Sequence, residues 1–79
     1  MSRGTQVYVG ELTRDVHPDD LKAEFKEFGR IRDFQFKGRY AFIEFEEQGA
    51  AETAVDRMDN ERLGDCRLRV EFASKLKIG

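Results

Sequence analysis

The sequence predicts an α+β fold in which a four-stranded antiparallel sheet carries two helices on one face, in the order βαββαβ. Two segments have the apolar spacing of amphipathic helices, and the segments around them alternate apolar and polar residues as strands do. A chain of 79 residues has room for one domain. We therefore expect a single domain over residues 1–79, with a core of about residues 5–74 and flexible ends.

The first strand and the first helix have clear boundary signals. Residues 7–9 are apolar or aromatic and stop at Gly10, which predicts a short strand. A helix is expected to begin at Pro18, because proline is favoured in a first helical turn, and to end at Gly29. Its apolar side chains recur at helical spacing: Leu21, Phe25 and Phe28.

The rest of the chain completes the pattern. Residues 31–36 and 39–45 predict two strands joined by a tight turn at residues 37–38, and residues 48–58 predict a second helix. The apolar stripe of that helix consists of Ala51, Ala54, Val55 and Met58. Residues 60–65 have the composition of a turn, and residues 67–72 alternate as a last strand. The order is that of a ferredoxin-like split βαβ fold, which leaves one face of the sheet open to water.

Aromatic residues on that open face are the strongest functional signal. Successive side chains of a strand point to opposite faces. If Ala41, Ile43 and Phe45 face the core, Tyr40 and Phe42 face water with Glu44. By the same rule Tyr8 points outward, between inward Val7 and Val9. Such rings can simply support strand packing, but three of them together favour a binding site for flat partners such as unstacked bases.

Two motifs carry a resemblance to a known family. Residues 7–12, Val-Tyr-Val-Gly-Glu-Leu, resemble the RNP2 motif of the RNA recognition motif family. Residues 38–45, Gly-Arg-Tyr-Ala-Phe-Ile-Glu-Phe, resemble its RNP1 motif. The resemblance implies binding of single-stranded RNA, with Tyr8 and Phe42 stacking on bases and Tyr40 packing on a sugar or a neighbouring base.

The chain departs from the family pattern at two polar positions. RNP1 usually begins with a cation followed by glycine, whereas this chain has Gly38 followed by Arg39, so that either Lys37 or Arg39 would take the place of the cation. The position before Leu12, commonly asparagine, is Glu11.

The short connection between the second and third strands and the ending of the last strand resemble the first RNA-binding domain of SR-type splicing factors. This likeness implies a role in pre-mRNA splicing or mRNA processing, a nuclear location with shuttling to the cytoplasm as an option, and contacts with other RNA-processing proteins. The isolated domain is expected to be a monomer cut from a longer protein.

The charges are nearly balanced, with 14 Lys and Arg against 16 Asp and Glu. Sorted by element, ten of the cations and four of the acids fall on strands, adjoining loops and tails. We therefore expect a sheet side that is basic and a helical side that is acidic, which would steer a polyanion to the sheet. The candidate cationic contacts for RNA are Lys37, Arg39, Arg67, Arg69, Lys75 and Lys77.

Other classes of function lack the residues they need. With His17 and Cys66 as the sole histidine and cysteine, the chain can form neither a zinc cluster nor a Ser-His-Asp triad, and His17 is expected to lie at a helix cap. Neither a phosphate-cradling glycine loop nor an apolar run of membrane-spanning length is present. We expect a protein that is not an enzyme and needs no metal or cofactor. The alternative is a protein-interaction module that binds a basic peptide through its acidic helical face.

Overall fold

The computed structural model describes residues 4–75 and contains the predicted order of elements. The strands and helices of the predicted βαββαβ core are β1 (Gln6–Gly10), α1 (Pro18–Lys26), β2 (Ile31–Phe36), β3 (Ala41–Phe45), α2 (Gln48–Met58) and the last strand (Arg69–Phe72). Two short strands, β4 (Arg62–Leu63) and β5 (Cys66–Arg67), precede that last strand, which is therefore β6. A single 3₁₀ turn, Ala73–Lys75, follows it.

The main sheet is antiparallel in the order β2-β3-β1-β6. The first and third strands are therefore central neighbours, and Tyr8 lies directly opposite Phe42. The side chains of Val7, Val9 and Ile43 are fully buried under the helices. This arrangement confirms the predicted split βαβ fold and the predicted assignment of its two sheet faces.

Both helices form where the apolar spacing predicts them, although the first ends three residues before the predicted Gly29. The first helix begins at Pro18, and His17 is its N-cap residue, although the histidine side chain makes no capping hydrogen bond. It ends at Lys26, two residues before Phe28, which lies half-buried beyond the helix and meets the Phe25 ring edge-on at 6.3 Å between centroids. The second helix spans the predicted residues and buries Ala50, Ala51, Ala54 and Met58.

The second strand contains a β-bulge, which was not among the predicted features. Ile31 pairs with Phe45 and Asp33 pairs with Glu44, so that Arg32 is the extra residue. The bulge turns Ile31 toward the core, on the same side as Phe34 and Phe36. Asp33 consequently lies on the open face.

The predicted boundaries of two strands are wrong. The third strand begins at Ala41 and not at Arg39, because residues 38 and 39 form a hairpin turn that the Lys37 N–H closes onto the Tyr40 carbonyl at 2.8 Å. The last strand begins at Arg69 and not at Arg67, because the backbone of Leu68 pairs with the chain that follows α2.

Within the described residues, neither helix is long and apolar enough to cross a bilayer.

Candidate nucleic-acid interface

Three aromatic rings meet on the open face of the sheet. The ring centroids of Tyr8 and Phe42 are 5.7 Å apart, those of Tyr8 and Tyr40 are 6.0 Å apart, and those of Tyr40 and Phe42 are 5.8 Å apart. We call this group the aromatic platform. Its geometry confirms the prediction that the three rings share one face, although Tyr40 stands just before β3 and not within it.

The platform is apolar surface that the core does not use. Tyr40 is 39% exposed, and Tyr8 and Phe42 are each half-buried against their neighbours. A domain of this size needs its apolar side chains in the core. A contiguous group of rings left in solvent is therefore typical of a binding site.

The backbone of Gly10 supports the Tyr8 ring. A Cβ atom built at Gly10 would lie 2.6 Å from Cε2 and 2.7 Å from Cζ of Tyr8, which is far inside van der Waals contact. The ring consequently lies over the glycine, which is buried beneath it. The sequence motif contains Gly10, but nothing in its residue pattern predicts this supporting role.

Polar side chains flank the platform in the same strand register. Gln35 lies opposite Phe42, and Glu71 lies opposite Tyr8, so that one row across the sheet reads Gln35, Phe42, Tyr8 and Glu71. In the adjacent row, Asp33 lies opposite Glu44. The alternation of β2 predicts the outward direction of Gln35, but the residue was not among the candidate RNA contacts.

The open face itself is not basic, contrary to the prediction for the sheet side as a whole. Its paired strand positions carry Asp33, Glu44 and Glu71 against one paired cation, Arg69, which forms an ion pair with Glu71 at 3.4 Å. The unpaired bulge residue Arg32 is exposed beside Asp33. The prediction counted charges by element and not by face. Of the remaining cations assigned to this side, Arg32 lies at the β2 bulge and Arg67 in the β4–β5 hairpin, and Arg14, Arg30, Lys37 and Arg39 lie in loops and turns.

The predicted cationic contacts are divided among several elements. Lys37 and Arg39 are exposed in the turn that leads into Tyr40, and Arg69 is on the open face beside Gly10. Alternation over residues 67–72 would place Arg67 on the same sheet face as Arg69, but this expectation is wrong, because Arg67 pairs with Arg62 in the β4–β5 hairpin. The Lys75 side chain and the whole of Lys77 lie outside the described residues.

Hydrogen bonds on both sides hold the loop that leaves β1. The Leu12 N–H donates a hydrogen bond to the Arg39 carbonyl at 2.9 Å. The carbonyl of the same peptide, that of Glu11, accepts a hydrogen bond from the Cys66 thiol at 3.1 Å. Glu11 itself has a φ of 61°, a left-handed conformation that is uncommon for a glutamate. The loop is thus tied both to the turn before β3 and to the β4–β5 hairpin.

Among the described residues, no three metal-ligating side chains are grouped to hold an ion.

Comparison with known proteins agrees with this architecture. A family model described as the RNA recognition motif matches residues 7–69. Serine/arginine-rich splicing factor 9 of Homo sapiens is 42% identical over 72 residues, covering 85% of this chain and 33% of that protein. RNA-binding protein Rsf1 of Drosophila melanogaster is 43% identical over 75 residues, covering 90% of this chain and 38% of that protein. The chain spans about a third of the length of these curated relatives.

A solved structure supports the fold independently of close sequence similarity. The RRM of RNA15 superposes with a TM-score of 0.82 at 23% identity, covering 89% of this chain and 90% of that one. At this identity the likeness concerns the fold alone. The predicted likeness to serine/arginine-rich splicing factors is confirmed by the relatives, whereas the contribution of individual residues to binding stays a prediction.

Proposed function

The chain belongs to the RNA recognition motif family, and on that premise we propose that it binds single-stranded RNA on the open face of its sheet. The observation that carries this proposal is the aromatic platform, in which three rings lie within 6.0 Å of one another, centroid to centroid. Tyr8 and Phe42 each stack on one base, and Tyr40 packs on a sugar or a neighbouring base.

Binding by this platform alone is modest in strength. Stacking of one base on a ring contributes about 1–3 kcal/mol by alanine substitution. A contact with two to four nucleotides then gives a binding free energy of about −8 kcal/mol, which corresponds to a dissociation constant near the micromolar scale. Cations beside the platform, namely Lys37, Arg39 and Arg69, contact phosphates, and we assign the same role to Arg67 and Lys75 from the more distant hairpin and chain end.

We place this function in pre-mRNA splicing or mRNA processing in the nucleus, with other RNA-processing proteins as partners. The names of the relatives support this assignment, because they are a serine/arginine-rich splicing factor and an RNA-binding protein. Useful sequence specificity would come from a second RNA-binding element acting in series, since a short contact is weak by itself.

The experiment that tests the proposal compares the wild type with the Tyr8→Ala/Phe42→Ala double variant. Each is titrated with a degenerate pool of single-stranded RNA at two salt concentrations, and folding is checked by circular dichroism. We expect salt-sensitive binding by the wild type, with a log–log slope of about −0.7 per phosphate contact. The folded double variant should lose it.

A matched control removes a ring from the other side of the sheet. Phe28 is also half-buried but packs against the helical core, so Phe28→Ala should leave RNA affinity unchanged in the folded protein. RNA binding by the double variant equal to that of the wild type, or the absence of binding by the wild type, would contradict the proposal.

A basic peptide is the second candidate ligand, and its site would be the acidic helical face. Exposed carboxylates on and just after α1 favour it: Asp19, Asp20, Glu24 and Glu27. The peptide would bind on the side of the sheet opposite the platform. Binding of an arginine-rich peptide that persists in the Tyr8→Ala/Phe42→Ala variant would support this function.

A further inference from the structure

Two carboxylates lie directly opposite each other beside the aromatic platform. Asp33 on β2 pairs in register with Glu44 on β3, and like charges at such positions destabilise a sheet. Within residues 4–75 neither carboxylate forms an ion pair. The fold thus has an unfavourable pair of like charges beside Phe42, which lies two residues from Glu44 on the same strand. This pair is at the place where a ligand of the aromatic platform would be bound.

Hydrogen bonds fix which atoms these side chains present. The Gln35 side-chain amide donates a hydrogen bond from Nε2 to Oδ2 of Asp33 at 3.1 Å. The amide nitrogen must face Asp33, because an ionised carboxylate can only accept hydrogen bonds. The Gln35 carbonyl oxygen and the second amide N–H are therefore left to a ligand, directly across from Phe42. The Thr5 hydroxyl donates to Oε2 of Glu44 at 3.2 Å, which leaves Oε1 of Glu44 for another donor.

The hydrogen-bonding atoms beside Phe42 on β2 and β3 are therefore mostly acceptors, namely the oxygens of Asp33, Gln35 and Glu44. A base stacked on the ring extends past it toward Gln35, the residue directly opposite, whose Cβ atom is about 4.5–5.5 Å away. It also extends toward the diagonal neighbour Asp33, at about 7–8 Å and within reach of a long or flat group. Cytosine and adenine present an exocyclic amino group, and guanine presents an amino group next to a ring N–H. Uracil presents carbonyl oxygens at the corresponding positions, and these are repelled by carboxylates.

We infer that the Phe42 position selects bases that carry an exocyclic amino group and rejects uracil, with Asp33, Gln35 and Glu44 as the accepting residues. This inference rests on the proposed function of the open face as an RNA site. It adds the class of base that the site prefers and the residues that determine the preference.

The test uses RNA octamers that differ at one central position within a uridine run. Comparing cytosine with uracil at this position changes the hydrogen-bonding edge of the base without changing the size of its ring. Comparing guanine with hypoxanthine tests the removal of a single amino group. Affinities are measured by fluorescence anisotropy for the wild type and for Asp33→Asn/Glu44→Gln. We expect the wild type to bind the cytosine octamer about tenfold more tightly than the uridine octamer. It should also prefer guanine to hypoxanthine.

In the Asp33→Asn/Glu44→Gln variant both ratios should fall to about one, and the uridine octamer should bind more tightly than it does to the wild type, because amides can donate to uracil carbonyls. The control is Glu52→Gln/Asp56→Asn, which removes the same two charges from exposed positions on α2. It should alter affinity for all octamers equally and keep the wild-type ratios.

Equal wild-type affinity for the cytosine and uridine octamers would overturn this inference while leaving RNA binding in place. Discrimination that survives in Asp33→Asn/Glu44→Gln would overturn it as well, since other residues would then select the base. Failure of the wild type to bind any octamer would overturn the proposed function and this inference together.

Discussion

Adding one methyl group at Gly10 tests how the Tyr8 ring is held. A Cβ atom there would lie 2.6 Å from Cε2 of Tyr8, whereas nonbonded carbon atoms are comfortable at about 3.5–4.0 Å. The ring must therefore lift or swing by about 1 Å, which tilts the surface that a base would stack on. We expect Gly10→Ala to weaken RNA binding by about 1 kcal/mol, about fivefold in Kd, which is part of the stacking energy of one base.

The same substitution should have little effect on folding. The Tyr8 ring stands on the open face and can move into solvent, and alanine in a strand is favoured over glycine by about 0.5–1 kcal/mol. We expect the free energy of unfolding, measured by urea denaturation, to stay within about 1 kcal/mol of the wild type. RNA affinity is measured in parallel by fluorescence anisotropy.

A double-mutant cycle isolates the contact between the two residues. In a Tyr8→Ala background, Gly10→Ala should cause no further loss of affinity, because the ring it displaces is gone. The matched control is Gly49→Ala on α2, where a Cβ atom meets nothing within 4 Å, and RNA affinity should be unchanged. Wild-type affinity in Gly10→Ala, or an undiminished effect in the Tyr8→Ala background, would refute the reasoning.

Three further predictions concern the scaffold. Ile43→Ala should destabilise the fold by about 2–5 kcal/mol, because the side chain is fully buried, and a smaller loss in urea denaturation would contradict its place in the core. Asp59→Ala should lower the free energy of unfolding by about 1–2 kcal/mol, because the Val70 N–H loses its acceptor, Oδ1 of Asp59, at 2.9 Å. Asp59→Asn retains an acceptor oxygen and should cost less. Equal losses of stability in thermal unfolding would show that this hydrogen bond is unimportant. Gly38→Ala should lower the free energy of unfolding by about 1–2 kcal/mol, because its φ of 94° is strained for a residue with a side chain even though open space surrounds the site. Gly38→Asn should cost less, because asparagine tolerates positive φ better, and an unchanged melting temperature in both variants would contradict this.

Alternation along the strands was enough to predict the platform. Val7 and Val9 in one strand and Ala41, Ile43 and Phe45 in another have one face suited to the core, and this fixes the outward direction of the rings between them. The two helices follow from apolar spacing in the same way. These patterns are strong because each extends over several residues and agrees with burial.

The features that escaped prediction have weak or local signals. The β4–β5 hairpin consists of two-residue strands, too short for any periodicity, and its absence from the predicted fold led to the wrong position of Arg67. The bulge at Arg32 did have a signal, because Ile31 and Phe34 are spaced by three, which an unbroken strand cannot place on one face. The acidic character of the open face was missed because charges were assigned to elements without regard to direction.

The order of strands in the sheet also bears on the motions of the platform. Tyr8 lies on β1, Phe42 lies on β3 and Tyr40 precedes β3, so that the rings belong to the two central strands and β2 and β6 form the edges. Native proteins open locally, and edge strands release their hydrogen bonds more readily than central ones. Fraying of either edge leaves the paired Tyr8 and Phe42 in register, so we expect the aromatic platform to outlast partial opening of the domain and to be lost only when the centre of the sheet unfolds.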